Sequence, residues 1–233
     1  MSLEQKIKLI FFDMEGVIFE TGIKEESPGV SASFWAVIAR HLGEKAIAEE
    51  EKGKEMWHKK EFKNYLDWMV YSIEIHKKHG LRMKDFYDTI HKVPFMKGAK
   101  ETFAELHKRG YKAAIISGGF KNQANRAIRE LGIEHVFAAC EYFFDDKTGK
   151  LVGWNLLPCD YEGKIDFMEL MMHEYKLKPE QCAFVGDGVN DIPLAKEVGV
   201  SIAFNGRKEL QEVTTYSVNQ EKKDLRGILQ YFT

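Results

Sequence analysis

Asp13 and Glu15 stand two residues apart in Asp13-Met14-Glu15-Gly16-Val17, directly after the apolar run at 7–12. Two carboxylates at the end of a buried strand can divide a displacement reaction: one attacks, the other moves protons. Three more segments follow in order: Ser117-Gly118-Gly119 after a second apolar run, Lys164 at the start of a helical stretch, and Gly186-Asp187-Gly188-Val189-Asn190-Asp191 after a third apolar run. Oxygen ligands such as Asp13, Asp187 and Asp191 suit Mg2+, which takes one or two carboxylates plus water and substrate oxygens. Asp13, Asp187 and the Glu15 backbone carbonyl are the expected direct ligands, with Asp191 in direct contact or one step behind. The Ser117 hydroxyl and the backbone N–H groups beside it can hold phosphate oxygens where a helix begins. Lys164 can neutralise a carboxylate and the charge that develops on a transferring phosphoryl group. Each signal alone has an ordinary alternative: a loop or N-cap pair, a Gly-rich turn, a solvated lysine. Their combination and order predict a magnesium-dependent phosphoryl-transfer site.

Such a site needs strands that deliver all four segments to one edge. The run at 7–12 reads as a strand covered on both faces. From about 31 to 91 only helical periodicity is present, with stripes at Phe34, Val37, Ile38, Leu42 and at Phe62, Leu66, Met69, Val70, Ile73. Strand and helix then alternate: helix 98–109, strand 111–117, helix 122–131, strand 136–140, a hairpin with arms 141–144 and 151–154, helix 165–175, strand 182–186, helix 191–198, strand 200–204, a short helix near 209, strand 216–218 and a final helix 224–231. That alternation predicts an α/β fold, a Rossmann-like, mostly parallel sheet. Residues 1–22 and 95–233 are expected to form this core, and 23–94 a helical-bundle cap above the carboxyl ends of the strands. Ligands bind at that edge of open α/β sheets.

The chain has 233 residues, 44% hydrophobic and 30% charged, with a net charge of −2. That balance gives no electrostatic reason to expect nucleic acid or an anionic membrane. No apolar run approaches the roughly 18–20 residues that span a bilayer, and Glu4, Lys6 and Lys8 argue against a secretory leader. Cys140, Cys159 and Cys182 are odd in number and widely spaced, which argues for reduced thiols and a cytoplasmic protein. Two motifs are set aside. Asp146-Lys147-Thr148-Gly149-Lys150 reads as turn chemistry, and His76-x-x-His79, lacking a third ligand, as packed or solvated.

Asp13-x-Glu15-Gly-Val, Ser117-Gly-Gly-Phe120, Lys164 and Gly186-Asp-Gly-Val-Asn-Asp191 resemble the four motifs of the haloacid dehalogenase superfamily. Their order and the interposed cap look most like its phosphoserine phosphatase branch, and the likeness extends to Asp224-Leu225-Arg226. The resemblance implies Mg2+, Asp13 as nucleophile, a small-molecule phosphate ester as substrate, and Ser117, Gly118, Asn190 and Lys164 around the phosphate. It implies a monomer or homodimer. Three departures accompany it. The usual acid/base is Asp, here Glu15; the added methylene moves the carboxyl by about 1.5 Å. The family's amine-binding Glu falls on Gly22, with Glu20, Glu25 and Glu26 nearby. Its carboxylate-binding Arg falls near Asp67, with Arg40 or Arg82 as substitutes. A carboxylate calls for a bidentate cation, so a substrate other than phosphoserine is expected. Trp35, Trp57, Trp68, Tyr65 and Tyr71 are candidates for a less polar pocket, although aromatics at helical spacing are commonly core. A phosphatase is the leading expectation. The alternatives are transfer to an alcohol acceptor, as in phosphoserine–homoserine phosphotransferases, which share Asp-x-Glu-Gly-Val, and a binding protein impaired at Glu15.

Overall fold

The computed structural model describes residues 7–20 and 33–233. The expected domain boundary at 22/23, Gly22, Glu25 and Glu26 lie outside the described residues. Strand β1 (Leu9–Phe12) is fully buried, and its residues alternate between two cores. Ile10 and Phe12 face one core with Phe103, Ile115 and Ile202. Leu9 and Phe11 face the other with Ile116, Phe184 and Met168. Burial on both faces is what a central parallel strand requires, and it explains the uninterrupted apolar run.

Four helices follow: α1 (Phe34–Leu42), α2 (Glu44–His58), α3 (Tyr65–Lys78) and α4 (Met83–Lys92). Gly43, at φ 109°, separates α1 from α2 in a conformation that other residues rarely adopt. The core resumes with α5 (Ala99–Lys108), β2 (Lys112–Phe120), α6 (Lys121–Leu131), β3 (His135–Phe144), β4 (Leu151–Leu156), α7 (Gly163–Tyr175), β5 (Cys182–Gly186), α8 (Ile192–Glu197), β6 (Val200–Phe204), α9 (Lys208–Gln211) and β7 (Tyr216–Val218). The sheet order is β4-β3-β2-β1-β5-β6-β7, parallel except for the β3–β4 pair. The fold is therefore the expected α/β sheet carrying a helical insertion after its first strand.

Three local expectations change. The strand at 136–140 and the hairpin arm at 141–144 are one strand, β3. Its first half pairs with β2 and its second with β4, and no Gly or Pro interrupts it. β2 extends three residues beyond 117, so Ser117-Gly118-Gly119 lies within a bulge, where three residues from Ser117 to Phe120 span two steps of β3. Bulges re-aim side chains next to functional sites. The last helix is a 3-10 segment, Leu225–Tyr231, opened by the Asp224 carboxylate accepting the Arg226 N–H.

The set-aside motifs behave as read. The Asp145 Oδ1 accepts the Thr148 N–H and hydroxyl in the hairpin turn. His76 is buried against the Tyr142 hydroxyl at 2.8 Å, and burial pulls its pKa down to about 3. The three cysteines are free and buried. Among the described residues, no helix is long and apolar enough to cross a membrane.

Candidate active site

β1 lies between β2 and β5, with Phe12 opposite Ile115 and Val185. The three strands therefore end side by side, and the residues that follow them meet. The Asp13 N–H continues the ladder by donating to the Val185 carbonyl at 2.9 Å. Lys164, in the first turn of α7, is fully buried and reaches into this junction. Its Nζ donates to Asp13 Oδ1 at 2.9 Å and to Asp191 Oδ1 at 2.6 Å, and lies 3.7 Å from Asp160 Oδ1.

Asp191 braces the third loop. Its Oδ2 accepts the N–H groups of Asp187 and Gly188, both at 2.9 Å, so both of its oxygens are engaged. Asp187 is packed against Gly16, where a Cβ would fall 2.0 Å from Asp187 Oδ2; Gly16 also has φ +80°. Only glycine satisfies both conditions. Carboxylate oxygens of Asp13, Asp187 and Asp191 lie within 4.8 Å of one another.

Burial pushes the Asp13 carboxyl up to about 7, against the pull of Lys164 and with the push of Asp191. Asp187 is held well above the usual carboxylate range, first by burial and then by Asp13 and Asp191. Burial disfavours the Lys164 ammonium, but Asp13, Asp191 and Asp160 outweigh it and hold the group well above its ordinary value. Four acidic groups around one ammonium, repelling one another in a buried site, are a donor set that a hard divalent cation satisfies.

Glu15 stands beside this cluster and feels the charges of Asp13, Asp160 and Lys164, but its hydrogen bond goes elsewhere. Its Oε2 accepts the Phe34 N–H at 2.8 Å, and Oε1 is buried with no hydrogen-bond partner among the described residues. Burial raises its pKa to about 8, so at neutral pH the carboxyl carries a proton. A Cβ at residue 119 would fall 2.5 Å from Glu15 Oε1. Ser117 is buried, and its Oγ accepts the Gly119 N–H at 3.2 Å, which leaves the hydroxyl proton free to donate. The Gly118 carbonyl accepts Trp35 Nε1 at 3.0 Å and the Tyr65 hydroxyl at 3.4 Å.

Asp13, Glu15, Ser117, Gly118, Lys164, Asp187, Asn190 and Asp191 thus converge. Asn190 does so through Asp160, donating from Nδ2 to Asp160 Oδ1 at 2.8 Å. Asp160 is a site residue that sequence reasoning missed: it lies in the turn before α7, where no local pattern marks it. Trp35 and Tyr65 reach the site, and Trp57, Trp68, Tyr65 and Tyr161 form one aromatic cluster. Tyr71 instead packs on Phe62 and donates to the Glu49 carbonyl. Asp67 is exposed in the first turn of α3, Arg40 is exposed, and Arg82 donates to the Thr148 carbonyl at 3.0 Å. None of these three replaces a carboxylate-binding arginine at the site.

A family model for haloacid dehalogenase-like hydrolases matches residues 7–199. Phosphoserine phosphatase of Methanocaldococcus jannaschii is 30% identical over 98% of this chain and 99% of its own length. That of Saccharomyces cerevisiae is 29% identical over 97% of this chain and 69% of its own. A substrate-bound phosphoserine phosphatase complex matches 99% of this chain and 100% of its own, with a TM-score of 0.77 and 27% identity. A phospho-aspartyl intermediate analogue of phosphoserine phosphatase gives the same TM-score, 0.77, and the same identity, 27%, over 98% of this chain and 100% of its own.

Proposed function

We propose that this chain, which belongs to the haloacid dehalogenase-like hydrolases, cleaves a small phosphomonoester through a phosphoaspartyl intermediate on Asp13. That it is a phosphoserine phosphatase-like hydrolase follows from its full-length relatives; the assignment of steps to residues is our reading. One observation carries it. A nucleophile paired with a buried ammonium, Asp13 with Lys164, sits two residues from a buried carboxyl, Glu15, one oxygen of which has no partner among the described residues.

In the first half-reaction an Asp13 oxygen bonds to phosphorus as the ester P–O bond breaks. Glu15 gives its proton to the departing alkoxide. In the second, Glu15 takes a proton from water, the water oxygen bonds to phosphorus, and the Asp13–phosphorus bond breaks to release inorganic phosphate. Lys164 and the Ser117 hydroxyl hold the phosphoryl oxygens throughout. Asp13, Asp187 and the Glu15 backbone carbonyl would hold Mg2+, with Asp191 bracing the loop that carries Asp187. When bound, the cation would offset charge on the phosphoryl oxygens. In this reading, residues 23–94 form a separate domain covering the core made by 1–22 and 95–233.

The substrate is read as other than phosphoserine, because Asp67 and Arg40 are exposed and Arg82 is engaged with the Thr148 carbonyl, so none of the three supplies the cation that a substrate carboxylate calls for. A panel of phosphorylated metabolites, assayed for phosphate release with Mg2+, tests this. Phosphoserine turned over faster than every other member overturns the substrate reading. Wild-type turnover by Asp13→Asn overturns the mechanism.

A further inference from the structure

We propose that the backbone N–H of Phe34, in the first turn of α1, is a positioning group for the acid/base step. It holds Glu15 Oε2, so that Oε1 is the oxygen that exchanges protons with the leaving group and with water. The inference rests on the hydrolase reading above and goes beyond it, because it gives the helical insertion a direct part in proton transfer.

Three observations support it. First, the hydrogen bond is short, 2.8 Å, and joins the insertion to a residue that follows β1. Second, the two oxygens of Glu15 differ: Oε2 is held, and Oε1 is buried over Gly119 with no hydrogen-bond partner among the described residues. A buried acceptor without a partner is costly and calls for an explanation; an oxygen reserved for a transferable proton supplies one. Third, the donor is fixed independently of Glu15. The Phe34 ring packs edge-on against Phe86 and Phe120, Ser33 caps the helix, and the neighbouring Trp35 is tied to the Gly118 carbonyl.

The same contact accounts for glutamate where the family carries aspartate. A side chain one methylene shorter would fall about 1.5 Å short. It would leave about 4.3 Å between oxygen and N–H where the structure has 2.8 Å, beyond hydrogen-bond range. The added length is thus matched by a partner that only the longer side chain reaches. As the proton leaves Oε1 for the alkoxide, the charge left on the carboxylate is shared with Oε2 and met by the Phe34 N–H.

Two substitutions separate the N–H from the ring. Phe34→Pro deletes the donor at the first helical position, where proline is tolerated, and Ser33 already has the extended backbone, ψ 150°, that precedes proline. Phe34→Leu loses the ring and keeps the donor. The readout is kcat/KM for the alkyl phosphate that the wild type hydrolyses fastest, divided by that for p-nitrophenyl phosphate, whose leaving group needs no proton. The ratio should fall about tenfold or more in Phe34→Pro and stay within about twofold in Phe34→Leu. A backbone ester at position 34, made with 3-phenyllactic acid in place of Phe34, removes the N–H and keeps the ring; it should show the same loss and decides the matter if the proline variant does not fold. An unchanged ratio in Phe34→Pro, or in the ester, overturns the inference and leaves the hydrolase reading standing. A wild type that hydrolyses neither substrate overturns both.

Discussion

Replacing Lys164 with methionine leaves an unbranched apolar side chain one atom shorter and removes the ammonium, its charge and its hydrogen-bond donors together. In the wild type this ammonium, with no exposed surface, is within 2.9 Å of Asp13, 2.6 Å of Asp191 and 3.7 Å of Asp160. Without it, three buried carboxyls face one another with no cation between them. Breaking a buried ion pair from one side costs about 3–5 kcal/mol. For a chain of this size, each kcal/mol shifts the melting temperature by roughly 2–4 °C, so Lys164→Met should melt about 10 °C lower at pH 8 without metal. The deficit has a sign in pH. Burial makes Asp13 and Asp160 bind protons more readily folded than unfolded, so the loss is largest at high pH and should shrink as pH falls towards 5. Turnover should fall on the order of 10²–10³-fold, as when one stabilising donor is removed from a transition state. Thermal melts at pH 5, 6.5 and 8, followed by circular dichroism, measure the first two effects, and phosphate release the third. A variant melting within about 2 °C of wild type at pH 8, or a deficit that grows on acidification, would refute the charge balance described for this site.

Mg2+ should stabilise the wild type in proportion to the logarithm of one plus its concentration over Kd, by about 2.7 kcal/mol at a hundred times its Kd, and raise the melting temperature accordingly; Asp187→Asn should lose most of that shift, and a full shift in the variant would remove Asp187 from the ligand set. Gly119→Ala should lower kcat by about 10²-fold, because its Cβ would lie 2.5 Å from Glu15 Oε1 and misplacing a catalytic group by about 1 Å costs that much; unaltered kcat would show that Glu15 is not held there. Glu50 in α2 is buried with one oxygen on the Ser72 hydroxyl, and burial lifts its pKa from 4.5 to about 7. The folded chain therefore binds a proton there that the unfolded chain has released, and the stability this confers, present below about pH 4.5, is lost as pH rises to 7, by roughly 3 kcal/mol. Glu50→Gln should flatten that slope in urea unfolding between pH 5 and 8; an unchanged slope would mean that Glu50 does not titrate as buried.

Much of this was legible because strand and site share one cause. A buried parallel strand must be apolar throughout, so the first polar residue after it marks the sheet edge where ligands bind. Asp13, Ser117 and Asp187 each announced themselves in this way. Boundaries failed where local pattern had no say. Nothing in residues 135–144 shows that one strand pairs in parallel along half its length and antiparallel along the rest, since that depends on what lies beside it. The Ser117-Gly118-Gly119 bulge looked like the end of a strand for the same reason. The partners of Glu15 and Gly118 were invisible because Phe34, Trp35 and Tyr65 come from an insertion whose docking on the core no local periodicity encodes. Asp160 was missed because it precedes α7 in an irregular turn, away from any apolar run.

The sheet order also governs when the molecule becomes competent during folding. β1 leaves the ribosome well before its two neighbours in the sheet, β2 and β5, which begin at Lys112 and Cys182. The Asp13–Lys164 pair closes a separation of 151 residues. Pairings of such range are slow to form, because chain entropy is lost before the contact is gained. Until β5 is inserted, β1 is an apolar edge with an unpaired ladder, the kind of surface that recruits other chains. Refolding yield should therefore depend on protein concentration more steeply than native stability would suggest. Recovery of hydrolysis should follow the insertion of β5 rather than the earlier appearance of helix.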